Sequence, residues 1–186
     1  MGEEVLPLEA RRVQGLEVLG DLGAVAVVLV GVAGEVLAEE VPVGVGKFFS
    51  NEEKEKIISA IQTAEKNTSG EIRVHLVKHL KGDILEEGKK IFAQLGMTKT
   101  AQRNGILFLL SLKDHQFAIL GDQGIHDKVH AEFWQIIRNE LEGYFKQGLF
   151  SDGLVAGILK CGEELKRYFP YQSGDKNELP DSISSN

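Results

Sequence analysis

The stretch GILFLLSL, residues 105 to 112, carries no charge at all, and it constrains the fold more than any other feature. An apolar run of this kind suits a central strand covered on both faces rather than an exposed one. What flanks it supplies the covers. KDHQ at 113 to 116 reads as a turn and FAIL at 117 to 120 as a further strand, so the two runs form a hairpin. Upstream, EIRVHLVKH alternates: Ile72, Val74 and Leu76 fall on one side and Glu71, Arg73 and His75 on the other, as in a half-buried strand with two unlike faces. Between these strands, DILEEGKKIFAQLGM places Ile84, Leu85, Ile91, Phe92 and Leu95 at helical spacing and serves as the crossover. An earlier helix starts at Ser50, whose pairing with Glu53 is a capping box, carries Ile57, Ile58, Ile61 and Ala64 on one face, and stops at NTSG, residues 67 to 70. Two helices follow the hairpin. Phe133, Trp134, Ile137, Leu141, Tyr144 and Phe145 stripe the first. The second, capped by Ser151 or Asp152, turns Leu154, Val155, Ile158, Leu165 and Phe169 inward, with Gly153, Gly157 and Gly162 allowing close backbone approach. The expected fold is therefore α/β, a small mixed β-sheet sandwiched between α-helices, over residues 47–170.

The ends differ from this domain in composition. Residues 1–46 use Val, Gly, Glu, Leu and Ala almost exclusively and contain no Lys, Ile, Ser, Thr, Asn or Phe. They read first as a poorly ordered extension ending in the VPVGVG linker. Two other readings stay open: a targeting segment, with Arg11 and Arg12 ahead of a short apolar run and a cleavage site after Ala38, although Glu17 and Asp21 interrupt it, and an integral strand or helix. The run LGAVAVVLVGVAG falls short of the roughly 20 apolar residues of a membrane span, and nothing apolar enough follows Phe169, so no integral membrane segment is expected. The location read from this is cytoplasmic, or exported if residues 1–38 are a targeting segment. Residues 171–186 hold little apolar surface and are expected to form a disordered tail.

A net charge of −7 with no basic stripe argues against a nucleic-acid partner, because phosphate binding is driven by clustered Lys and Arg. Cations are better guests for such a chain than anions. The single cysteine, Cys161, lies in an apolar helical pattern and reads as a buried filler. No GxSxG elbow, HExxH pair or CxxC pair is present, and GVGK at 44 to 47 fails as a phosphate loop because Phe48 stands where a hydroxyl should hold magnesium. His75 and His79 read as residues of a solvated strand edge, and His126 and His130 as caps or solvated side chains, rather than as ligands. The carboxylates say more. Asp114 in the hairpin turn, with Asp122 and Asp127 in the next loop, would bring oxygen ligands to the rim of the sheet, the donor type that Ca²⁺ takes. Turn formation explains the same residues, with Asp127 as a helix cap, and spacing alone does not separate the two readings.

The segments SGEIRVHL, RNGILFLLSLKD, FAILGDQGI and FKQGLFSDGLVAGI, in this order, resemble the TPM domain family, named for a thylakoid lumen acid phosphatase, a photosystem II repair protein and a nematode receptor accessory protein. The resemblance spans residues 48–170. It implies an α/β sandwich and divalent-cation binding, Ca²⁺ first and Mg²⁺ second, with acid phosphatase activity in the plant branch. Position by position, Asp114 matches the acidic turn after the central strand, Asp122 the segment between the loop glycines Gly121 and Gly124, and Asp152 the acidic start of the last helix. Without a C-terminal membrane helix, the chain is most similar to soluble stand-alone bacterial members. Two functions follow as expectations. One is a Ca²⁺-binding regulatory or protein-interaction module, its protein partner unidentified. The other is a metal-dependent acid phosphatase acting on phosphomonoesters, in which Asp114, Asp122 and Asp127 hold the cation and Arg103 steadies the phosphate.

Overall fold

The computed structural model describes residues 16–18, 27–32 and 44–186, the first two segments as backbone strands only. Strands β1 (Leu16–Val18) and β2 (Val27–Val32) are followed by α1 (Asn51–Glu65), β3 (Glu71–Val77), α2 (Ile84–Gln94), β4 (Gly105–Ser111) and β5 (Gln116–Gly121). The short α3 (Gln123–His126), α4 (Ala131–Phe145), α5 (Phe150–Tyr168) and β6 (Ser184–Ser185) complete the order. The sheet runs β1-β2-β5-β4-β3-β6. β3 and β4 are parallel, joined by the α2 crossover, whereas β4 and β5 form the antiparallel hairpin. The expected mixed sheet between helices is present. Of residues 1–46, read as an extension, β1 and β2 extend the sheet beyond β5 and Val45–Lys47 forms a 3-10 turn. The proposed cleavage site after Ala38 lies outside the described residues.

β4 sits at the centre because its side chains are apolar on both faces. Ile106, Phe108 and Leu110 enter a core closed by α1, α4 and α5, where Trp134, Ile137, Leu141, Leu154 and Ile158 are fully buried. Leu107 and Leu109 enter the smaller core under α2, with Ile91, Phe92 and Met97. The capping box forms as expected: Ser50 N–H donates to Glu53 Oε2 at 2.8 Å, and Glu53 N–H donates to Ser50 Oγ at 3.2 Å. Close approach of α1 and α5 depends on Gly162, where a Cβ would lie 2.6 Å from the Cβ of Ala64. Cys161 is buried, as its apolar setting implies, and burial pushes its thiol far above the usual range.

Three local readings need correction. Neither Ser151 nor Asp152 caps α5; the helix begins at Phe150 after Leu149, and the Ser151 hydroxyl donates to Glu53 Oε1 at 3.3 Å instead. Asp127 does not cap α4, whose N-cap is His130, but closes the C-terminus of α3. The largest difference concerns residues 171–186, expected to be a disordered tail. They return to the sheet, and Ser184–Ser185 pairs with His75–Leu76 of β3 in parallel. Leu179 packs into the α2 core and Ile183 against the larger one. Two apolar side chains and a strand edge suffice to hold a segment whose composition reads as loose.

Candidate functional site

The expected cation ligands are not brought together. Asp114 sits in the hairpin turn before β5 and Asp122 just after its far end. Six strand residues separate them, about 20 Å at 3.3 Å per residue. Asp127 is exposed at the end of α3, where it accepts from Gln123 Nε2 at 2.5 Å, and Asp152 is exposed in the first turn of α5. Among the described residues, no group of three or more His, Cys, Asp or Glu is placed to hold one metal ion. The four aspartates therefore form no common site.

Asp122 and Asp114 have different jobs. Asp122 is fully buried at the N-cap of α3. Its oxygens take Arg103 Nε at 2.7 Å, Arg103 Nη2 at 2.6 Å and the Gln123 N–H at 2.8 Å. Arg103, read as a phosphate ligand, is instead committed to this two-pronged pair, and the hydrogen bond to Asp122 raises its already high pKa. Its φ of 51° is a left-handed value that a non-glycine residue adopts only under local constraint. Gly124 completes the clasp: its N–H donates to Arg103 O at 2.7 Å, and a Cβ there would lie 2.1 Å from Gln102 O. Asp114 accepts from Leu80 N–H, the Ser111 hydroxyl and His79 Nδ1, tying the β3 and β4 ends together.

Carboxyl groups do gather elsewhere, at the start of β3, at positions that sequence pattern alone does not mark. A cleft of about 260 Å³ is lined by Glu65, Lys66, Glu71, Asp175, Lys176 and Asp181, among others, so α1, β3 and the C-terminal segment all contribute. Glu71 is buried and fastens that segment, accepting from Glu178 N–H at 2.7 Å and Leu179 N–H at 3.2 Å. Glu65 accepts from Ile72 N–H at 2.6 Å and lines the cleft together with Asp181. Burial, reinforced by Glu71 and Asp181, pushes Glu65 up to about 9, and burial likewise pushes Glu71 up to about 7. Arg73 lies beneath, 4% exposed, with its Nε unpartnered; burial lowers its pKa while Glu65, Asp181 and Glu71 oppose that shift. His75, further along β3, is held between Ser184 Oγ at 2.8 Å and Asn186 Oδ1 at 3.0 Å, and burial lowers its pKa.

Glu71, Arg73 and His75 are the polar side of β3 that alternation marks as solvent-facing, yet all three are buried. Alternation reports which side is polar, and here the chain's own end covers that side. Leu179 and Ile183 were the available signal, two apolar residues in an otherwise polar tail.

These features define an α/β sandwich with a β-α-β crossover, a hairpin, and a carboxyl-lined cleft closed by its C-terminal segment. Residues 45–164 match the family model described as the TPM domain, and the chain belongs to that family. It is similar in structure to the BA42 protein of the psychrophilic bacterium Bizionia argentinensis, solved by NMR. The two share 43% sequence identity at a TM-score of 0.72, over 78% of this chain and 100% of that one. No curated protein matches the sequence. None of the helices is long and apolar enough to cross a membrane, among the described residues.

Proposed function

We propose that this TPM domain is a regulatory module in which a divalent cation, Ca²⁺ foremost, controls how firmly residues 171–186 stay on β3, and thereby what surface a protein partner meets. The carrying observation is that the carboxyl groups of Glu65 on α1 and Asp181 in the C-terminal segment line one cleft, with burial and the nearby acidic groups raising Glu65. The proton that burial keeps on Glu65 stands where a dication would satisfy both charges at once. With only two such side chains at hand, and Glu71 occupied by main-chain donors, the rest of the coordination falls to water and neutral oxygens. That places the affinity in the weak class, on the order of 10⁻⁴–10⁻³ M. Mg²⁺ fits less well, since it demands stricter octahedral geometry.

The phosphatase reading has less support. It called on Asp114, Asp122 and Asp127 around one ion with Arg103 beside them, and those residues are divided between the two ends of β5, with Arg103 engaged by Asp122.

Calorimetric titration with CaCl₂ near pH 8, in two buffers of different ionisation enthalpy, tests the proposal. Binding should be saturable, release close to one proton, and disappear in Glu65→Gln while the fold persists. Binding without proton release, or unaltered by Glu65→Gln, would move the cation away from this cleft and defeat the proposal.

A further inference from the structure

α1 and α5 pack in parallel. At their starts the Ser151 hydroxyl donates to Glu53 Oε1 at 3.3 Å, and near their ends Gly162 lies against Ala64. This gives the surface over them a direction. Each helix carries acid in its first turn, Glu52 on α1 and Asp152 on α5, as the helix dipole favours, and α5 carries Lys166 in its last turn. Because both N-termini lie together, the charges do not cancel between the helices. One end of the pair is acidic, and Lys166 stands at the other.

Between the two helices runs a groove with two hollows, of about 530 and 310 Å³. Glu52, Glu55 and Asp152 line the first, and Lys160, Glu163 and Lys166 line the second. Thr63 and Leu159 line both and so mark the middle. Small residues form the floor, Ala60 and Ala64 on α1 with Gly162 on α5, while Leu159 stands clear of it, 39% exposed. Asp152, Leu159 and Lys166 follow one another at heptad spacing, so they share a stripe of α5. Each charge lies two turns, about 10.5 Å, from the leucine. Glu52 is met within the chain by Lys56 at 3.2 Å, and Lys160 by Glu140. Asp152 and Lys166 have no ion-pair partner among the described residues.

An occupant of this groove has to cover a leucine with an acidic group on one side and a basic group, equally distant, on the other. A second copy of the same surface does so when a two-fold axis passes beside Leu159. Leu159 then packs on its counterpart, Asp152 faces Lys166 of the second copy, and Lys166 faces its Asp152, the self-complementary pattern that a two-fold contact requires. We infer that the α1–α5 face is a self-association surface, on which two copies of this chain pair antiparallel about Leu159. Across that contact the helix dipoles oppose one another, whereas within each copy they run side by side. A face about 21 Å long and two helices, about 20 Å, wide covers roughly 400 Å² per copy, half of the standard 800 Å². The pair is accordingly transient, with a dissociation constant on the order of 10⁻⁴ M. Residues 171–186 do not line the groove, so pairing is independent of the cover on β3.

Sedimentation velocity of the full chain, from about 10 μM to about 1 mM, brackets that constant. The apparent mass should climb toward the dimer with concentration, and Leu159→Asp should hold it at the monomer value throughout. Asp152→Lys and Lys166→Glu, both at exposed positions, should each weaken pairing about tenfold, because each sets like charges against one another. Mixing these two variants should restore pairing, since every charge then meets its opposite; chains weakened by misfolding would not recover in this way. Should Leu159→Asp fail to fold, the two charge reversals and their mixture decide alone. Overturning results are a chain still monomeric at about 1 mM, pairing indifferent to either charge reversal, or a mixture that pairs no better than the separate variants.

Discussion

The two faces of the sheet are closed by different means. One is apolar from β5 across to β3 and lies under α1, α4 and α5, with Phe108, Trp134 and Leu141 fully or almost fully buried. The other is apolar only beneath α2; over β3 it presents Glu71, Arg73 and His75, and the cover is residues 171–186, held by hydrogen bonds to Glu71 and His75 and by Leu179, while Ile183 packs against the larger core of the first face. Burial without polar partners locks the first face at every pH. The second depends on carboxyl groups whose protonation changes its strength, and a cover of that kind is one a solute can loosen or tighten.

The sharpest way to break the comparison is to damage the apolar face. Trp134→Ala removes its largest buried side chain and should cost about 3–5 kcal/mol, seen as a large fall in the urea midpoint and a global loss of amide protection. Ending the chain at Pro170 damages the other face. It should cost on the order of 2 kcal/mol, from the lost packing of Leu179 and Ile183, and leave the helices intact by circular dichroism. It should also return the His75 titration upward toward the ordinary imidazole range, because the burial that lowers it is gone. If truncation unfolds the domain altogether, the two faces are not separable.

A smaller effect is expected from pH. Glu65 and Glu71 titrate near 9 and 7 in the folded chain against an ordinary value of 4.5, so the folded state binds more protons than the unfolded one between those limits. Their contribution is complete below about 4.5 and is lost as pH rises through 7 and 9. His75, with its pKa lowered, acts in the opposite sense only below its ordinary value of 6.5, which leaves pH 7 to 9 as the clean window. Thermal melts in that window should show stability falling, and Glu65→Gln should remove most of the fall. The smallest effect belongs to Asp152→Asn, an exposed site with no part in either cover. It should change stability by less than about 0.5 kcal/mol and leave calcium binding as it was.

Much of this architecture was legible in the sequence because its signals are local. The charge-free run at 105–112 named the central strand, Ser50 and Glu53 marked the start of α1, and the α5 glycines foretold its close packing. The candidate site was less legible, since loop aspartates have the same spacing whether they meet or not. Asp114 and Asp122 lie eight residues apart in sequence, and only the hairpin's direction shows that β5 keeps them at opposite ends. The carboxyl cleft was hidden for a related reason. Glu65 and Asp181 are separated by most of the domain, and no periodicity in either segment predicts that a polar tail returns to a polar strand face.

The central claim, that proton and cation occupancy of the Glu65–Asp181 pair governs the cover on β3, is tested most directly by methyl NMR of Leu179 and Ile183. At pH 5 both should give dispersed signals of packed side chains. By about pH 9 they should move toward random-coil positions while the Ile57 and Ile137 signals stay in place, and Ca²⁺ at about 10 mM should restore them. Tail methyl signals unchanged from pH 5 to 9, and indifferent to Ca²⁺, would contradict the account.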